Sequence, residues 1–259
     1  MAFLKNESPM KKLFMSILAV AAIICVSCGK EPKPTPGPGP DDPTPDPGPE
    51  PEPTYVAPIT IDGDFSDWAK IDDAKMCIAT CAEGALKTGI KVLKVYLDEA
   101  YMFVYFEYDD AAIPDKNDVQ GHVYFDADNN EDTGGCSNQW EPGCIEYMGE
   151  GHFFRSDAIS SFDPSLSYWT GELHAQGWEE FEEVLPSGSG LFTGAGGNGK
   201  YEMAMLLESF PDSPVPLGDE FGFGMDIQQS WSSVGIMPNA ASSDENPNGK
   251  SKLLTVKKK

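Results

Sequence analysis

Arginine is almost absent from this chain. Arg155 is the only one among 259 residues, and lysine and arginine together number 18 against 42 acidic residues, for a net charge of −24. Such a field repels nucleic acid and anionic headgroups, so no nucleic-acid partner is expected. A single guanidinium also leaves little material for a phosphate or carboxylate clamp. The three histidines, His122, His152 and His174, lie far apart in sequence, and none has metal-helix spacing. No nucleophile elbow, phosphate loop or zinc motif occurs. Long apolar runs of 3.6 period are missing, which argues against a helical fold. These absences point to a protein that is not an enzyme and whose partners are neutral molecules and cations.

What is present begins at the N-terminus. Met10-Lys11-Lys12 is basic, and Leu13 to Val26 is apolar apart from Ser16. A run of about 14 residues spans only about 21 Å as helix, short of a ~30 Å hydrocarbon core, and suits a signal-peptide core. The leader is assigned to residues 1–27, with Met10 as an alternative start. Val26-Ser27-Cys28-Gly29 resembles the lipobox of bacterial lipoproteins. That resemblance implies that Cys28 is acylated and becomes the first mature residue. It also implies outer-membrane targeting, since Gly29 is not the aspartate that retains such proteins at the inner membrane. Several acyl chains at about 0.8 kcal/mol per buried CH₂ make the attachment effectively permanent. Residues 28–54 alternate proline with polar residues, which prevents helix and sheet and favours an extended stalk of roughly 70 Å. The expected location is a lipid anchor in the outer membrane, at the cell surface rather than on the periplasmic side.

The remaining roughly 205 residues, 55–259, suit one all-β domain. Strands are expected at Ile59–Ile61, Lys75–Thr80, Ile90–Leu97, Tyr101–Tyr108, Gly121–Phe125, Glu146–Arg155, Tyr201–Leu206, Phe221–Gln229 and Lys252–Val256. Ser66-Asp67-Trp68 reads as a cap leading into one turn. Tyr101 to Tyr108 is apolar on both faces, as in a strand with one face in the core and the other under loops or a ligand. The expected fold is a two-sheet antiparallel β-sandwich, jelly-roll-like.

Ile61-Asp62-Gly63-Asp64-Phe65-Ser66-Asp67-Trp68 resembles the opening of family 9 carbohydrate-binding modules and related DOMON-like β-sandwiches. Leu93 to Asp110, His122 to Gly134, Cys144 to Gly151 and Tyr201-Glu202-Met203-Ala204 are similar to later segments of the same fold. Ser156 to Gly199 matches no part of it. The resemblance implies a binding module for carbohydrate.

Asp126-Ala127-Asp128-Asn129-Asn130-Glu131-Asp132-Thr133-Gly134 places oxygen ligands at alternate positions after a strand. Calcium takes six to eight oxygens, so Asp126, Asp128, Asn130 and Asp132 are candidate ligands, with Glu146 on the next strand closing the shell. Glu131 and Ser137 occupy the positions where an EF-hand needs glycine and glutamate, so the loop is of another kind. The metal's expected role is structural, pinning the loop. Cysteines exported to an oxidising compartment are expected to pair. Cys136 and Cys144 flank a short polar loop and are the expected disulfide, while Cys77 and Cys81 stay open: on one strand they would stand about 13 Å apart, beyond reach of a bond, but on a helical turn they could bond, with a zinc site a weak alternative.

Sugars present hydroxyls over apolar C–H faces, so their sites need exposed rings rimmed by polar groups. Trp68 is expected in the core. Trp140, Tyr168, Trp169, Trp178 and Trp231 are the candidate ligand-binding rings. The function expected is to hold polysaccharide or oligosaccharide near the cell for uptake or for partner enzymes. A surface adhesin or assembly component binding protein is the alternative, and a glycoside hydrolase a further one.

Overall fold

Two antiparallel sheets face each other in the computed structural model, which describes residues 55–258. The leader over 1–27, the Cys28 attachment and the proline-rich tract over 28–54 lie outside the described residues. No helix among the described residues is long and apolar enough to cross a membrane. The strands are β1 (Cys77–Thr80), β2 (Ile90–Leu97), β3 (Tyr101–Tyr108), β4 (Asp118–Asp126), β5 (Tyr147–Arg155), β6 (Ala158–Ile159) and β7 (Ser165–Trp169). They continue as β8 (Phe181–Leu185), β9 (Phe192–Gly197), β10 (Lys200–Leu206), β11 (Glu220–Gln229), β12 (Ser232–Met237) and β13 (Leu254–Lys257). One sheet runs β1-β2-β3-β10-β9; the other runs β12-β11-β4-β5-β7-β8, with β13 beside β11 and β6 beside β5. The all-β, two-sheet sandwich expected from the turn-rich sequence is what forms.

Alternation sorts the side chains of the central strands. Val104 and Phe106 of β3 meet Val123 and Phe125 of β4 and Phe223 and Met225 of β11 in the core between the sheets. The other face of β3, Phe103 and Tyr105, is covered by Ile59 and Trp68 in a second cluster. That answers why β3 is apolar on both sides. The opening segment does not extend as a strand over Ile59–Ile61; there Thr60 N–H donates to the Asp67 carboxylate at 3.1 Å, and a second carboxylate holds the backbone that follows. Buried Glu202 on β10 accepts the N–H groups of Asp62 (3.1 Å) and Gly63 (2.8 Å), and the Trp68 indole N–H (2.9 Å). The following 3₁₀ turn, Phe65–Lys70, is capped by Asp64, whose carboxylate accepts from Ser66 N–H. Asp64, two residues earlier than the expected Ser66, is thus the cap.

Glu202→Ala leaves three donors facing a void, one of them an indole in the buried cluster. At about 1–3 kcal/mol per stranded buried donor, a loss of about 3 kcal/mol or more is expected. Thermal melts should show the midpoint falling by roughly 6–12 °C. A shift under about 2 °C would mean the clamp contributes nothing.

Candidate functional site

The outward face of the larger sheet carries an uncommon polar row. His122 on β4 sits directly opposite Asp226 on β11 and Glu150 on β5. Its Nδ1 lies 2.9 Å from Asp226 Oδ1 and its Nε2 lies 3.2 Å from Glu150 Oε2. Burial alone would pull the His122 pKa down, but hydrogen bonds to Asp226 and then Glu150 outweigh it and raise the pKa to about 9. His122 is therefore an imidazolium at neutral pH and donates both ring protons. Its bond to Glu150 holds that carboxyl below its ordinary pKa. Asp226 is wholly buried and also accepts from Ser233 Oγ (2.8 Å) and Gln228 Nε2 (3.0 Å).

A raised histidine pKa has a definite sign in stability. The contribution is fully present below about pH 6.5, the free value, and is lost as pH rises through about 9. Wild type should therefore lose on the order of 3 kcal/mol across that window. His122→Gln should lose far less, and chemical denaturation at both ends of the range measures the difference.

Two rings stand over this row. Trp178 and Trp231 are 56% and 68% exposed, whereas Trp68, Trp140 and Trp169 are buried. Trp178 begins a 3₁₀ turn ahead of β8, and its indole lies 5.5 Å from the charged His122 ring, within cation–π range. Trp231 forms the tip of the β11–β12 hairpin. Gln229 pairs with Ser232, and the two residues between, Ser230 and Trp231, have φ of 50° and 62°. A two-residue turn of this hand ordinarily takes Asn-Gly. Holding two non-glycine residues there costs about 1–2 kcal/mol each, and the result is an indole aimed at solvent. Trp178, Trp231, His122, Glu150 and Gln228 enclose a hollow of about 340 Å³.

The other candidate rings are placed elsewhere, which corrects their expected role. Trp140 is fully buried against Tyr124, its indole N–H donating to Pro238 O at 2.9 Å. Gly224 makes room for it, since a Cβ there would come within 2.7 Å of the indole. Trp169 is buried edge-on to Phe181. Tyr168 is half-buried and packs on Tyr147 in the core between the sheets. Burial removes Trp140 and Trp169 as sugar platforms, and Tyr168 turns its ring to the core. Alternation along β7 turns Tyr168 inward, and Trp140 is folded down from the β4–β5 connection onto Tyr124 in a cluster with Ile145 and Leu253.

The acidic loop leaves β4 and returns into β5. Carboxylate oxygens of Asp126, Asp128 and Glu146 lie within 4.8 Å of one another. Asp132 is exposed and lies outside this trio, and the Asn130 side-chain oxygen accepts from Asp132 N–H at 3.1 Å. Glu146 is buried; one oxygen accepts from Ala127 N–H at 2.7 Å and the other, Oε1, has no partner. Gly134, at φ 72°, permits this approach, because a Cβ would sit 2.5 Å from that oxygen. Burial above all, together with the neighbouring acids, raises Asp126 to about 6 and Glu146 to about 7. Crowded, oxygen-only and carrying an orphaned buried acceptor, the trio fits a hard cation such as calcium.

The expected disulfide is absent. Cys136 and Cys144 are free thiols, as is Cys81. Gly135 and Ile145 exchange backbone hydrogen bonds at 2.9 Å, which brings the loop ends together as expected. The thiols turn to separate carbonyls, Cys136 to Pro142 O and Cys144 to Glu131 O, each at 3.4 Å. Both flank His174 Nδ1, at 4.0 and 3.9 Å.

The His122–Asp226–Glu150 row was missed in the sequence. Its signal was present as three polar residues at positions that alternate with the core-facing ones on largely apolar strands, but only pairing register shows that they meet. Comparison with known protein families finds none that matches this chain, and a search of curated proteins finds no match either.

Proposed function

We propose that this protein is a glycan-binding lipoprotein anchored in the outer membrane through Cys28, with its β-sandwich held off the surface by the proline-rich stalk. The observation that carries the reading is the pair of exposed indoles, Trp178 and Trp231, over a charged and amide-bearing floor. Ring faces pack on sugar C–H surfaces while Glu150 and Gln228 accept or donate to hydroxyls. Burial of the remaining tryptophans makes the exposure of these two informative, and the strained seat of Trp231 has no stabilising purpose. The resemblance of Ile61–Trp68 and of later segments as far as Tyr201–Ala204 to carbohydrate-binding modules supports the same reading. Calcium held by Asp126, Asp128 and Glu146 would fix the loop behind the site.

Hydrolysis is less well supported. Glycoside cleavage uses two carboxyl groups flanking the bond. Glu150 is the one acid lining this hollow, while Asp226 is wholly buried beneath His122.

Affinity electrophoresis through gels cast with a panel of neutral polysaccharides tests the proposal. Retardation in at least one gel, relieved by the matching free oligosaccharide, is expected. Unretarded migration in every gel, with capture of a surface protein through the same face, would replace it with the adhesin reading.

A further inference from the structure

The hollow between the two indoles is not isolated. Trp231 also lines a second hollow of about 500 Å³, with Leu86, Asn138, Gln139, Ser233 and Asn248 among its walls. Trp178 in turn lines a third, narrow one of about 70 Å³, shared with Tyr124, Ser137 and the same Asn138 and Gln139. The first and second hollows share Trp231, the first and third share Trp178, and the second and third share Asn138 and Gln139, so the three adjoin through common walls as one groove. Pockets for small organic ligands run about 300–1,000 Å³, so a single sugar ring fills no more than one compartment.

Two features show that the groove is built for an occupant along its length. The second compartment offers amides, the Ser232 and Ser233 hydroxyls, the aliphatic Leu86 and Ile236 and one cation, Lys87, with no carboxylate on its walls. That suits uncharged hydroxyls above C–H surfaces. In the third, Tyr124 is one of the lining residues; it is buried, and its hydroxyl, closed off from solvent, has no hydrogen-bond partner. A stranded buried hydroxyl is costly unless something arrives to pair with it.

Resting on the glycan reading above, we infer that the groove binds the interior of a linear, uncharged glycan, with at least two sugar residues astride Trp231 and a hydroxyl reaching Tyr124. Trp231 then serves as a platform on both faces. The site would read chain length as well as sugar type.

Titration calorimetry of the full-length protein with cello-, xylo-, malto- and chito-oligosaccharides of one to six residues tests this. Affinity should rise at least tenfold from the monosaccharide to the trisaccharide of the preferred series. Tyr124→Phe keeps the ring packed and removes only the hydroxyl; it should weaken trisaccharide binding about fivefold without lowering the melting temperature. Asn248→Ala, at an exposed position, should shrink the ratio of trisaccharide to monosaccharide affinity. Monosaccharides binding as tightly as longer chains, or a Tyr124→Phe protein with unchanged affinity, would overturn the extended groove and leave glycan binding standing. No heat with any saccharide, including the polysaccharide panel, would overturn both.

Discussion

Trp231→Gly is expected to bind glycan at least 30-fold more weakly than wild type while melting at a higher temperature. The two changes move in opposite directions for one structural reason. Trp231 occupies a left-handed position at φ 62°, which glycine adopts without penalty. Removing the Cβ relieves about 1 kcal/mol of backbone strain. Its indole, 68% exposed, gives up little packing when deleted. An aromatic anchor in a binding site is worth about 2 kcal/mol or more, hence the 30-fold weakening. Trp178→Ala should lose affinity to a similar degree, with a small stability cost from its contacts with His122 and Phe181. Trp140→Ala and Trp169→Ala should behave in the reverse way, unfolding more easily by about 3–5 kcal/mol because they are core residues. Binding isotherms beside thermal melts separate the two classes. Folded Trp178→Ala and Trp231→Gly proteins that bind as wild type does would remove the site from this face.

How far these features could be read in advance differs by element. The long strands were legible: β2 and β3 begin and end where Ile90–Leu97 and Tyr101–Tyr108 were expected, since aromatic and β-branched runs bounded by turn residues have few other uses. β9 was not, because Phe192–Gly197 is glycine-rich and reads as loop. The reason lies on its partner: the Tyr201 ring lies against Gly194 and Gly196, where a Cβ would meet it at 2.6 and 2.5 Å. β7 and β8 were missed for a related reason, being five-residue strands at the outer side of the larger sheet with weak alternation. Among the rings, exposure decided everything, and exposure depends on which loop folds over which strand. Trp140 and Trp178 both stand in polar sequence, yet one is fully buried and the other is open. Of the acidic loop, the strand-end positions Asp126 and Asp128 and the remote Glu146 were readable from oxygen spacing. Asp132 lies outside that trio, and alternate acidic positions also serve a local turn in which the Asn130 side chain accepts the Asp132 N–H.

Chelation should lower the melting temperature of the calcium-loaded protein by roughly 5–10 °C at pH 8. At free calcium about a hundredfold above the dissociation constant, a site absent from the unfolded chain contributes about 2.7 kcal/mol, and each kcal/mol moves a domain of this size by about 2–4 °C. The pH dependence carries the diagnosis. Without metal, Asp126 holds its proton to about pH 6 and Glu146 to about pH 7, both above the ordinary carboxylate range. The folded state then binds more protons than the unfolded one between about pH 4 and 7, so stability conferred by protonation falls as pH rises through that range. Calcium and protons compete for the same oxygens, so the calcium increment should be large at pH 8 and nearly gone at pH 5. General relief of charge repulsion on acidification acts on wild type and variants alike, and Glu146→Gln separates the two. That change keeps an acceptor for the Ala127 N–H while neutralising the carboxylate whose Oε1 lacks a partner. Its metal-free melting temperature should equal or exceed that of wild type, and calcium should no longer raise it. Magnesium should stabilise wild type less, because it gives up its water reluctantly and demands a tighter octahedron. A wild-type protein whose melting temperature at pH 8 ignores both calcium and chelator would leave the trio as an acidic turn that folding tolerates without a metal.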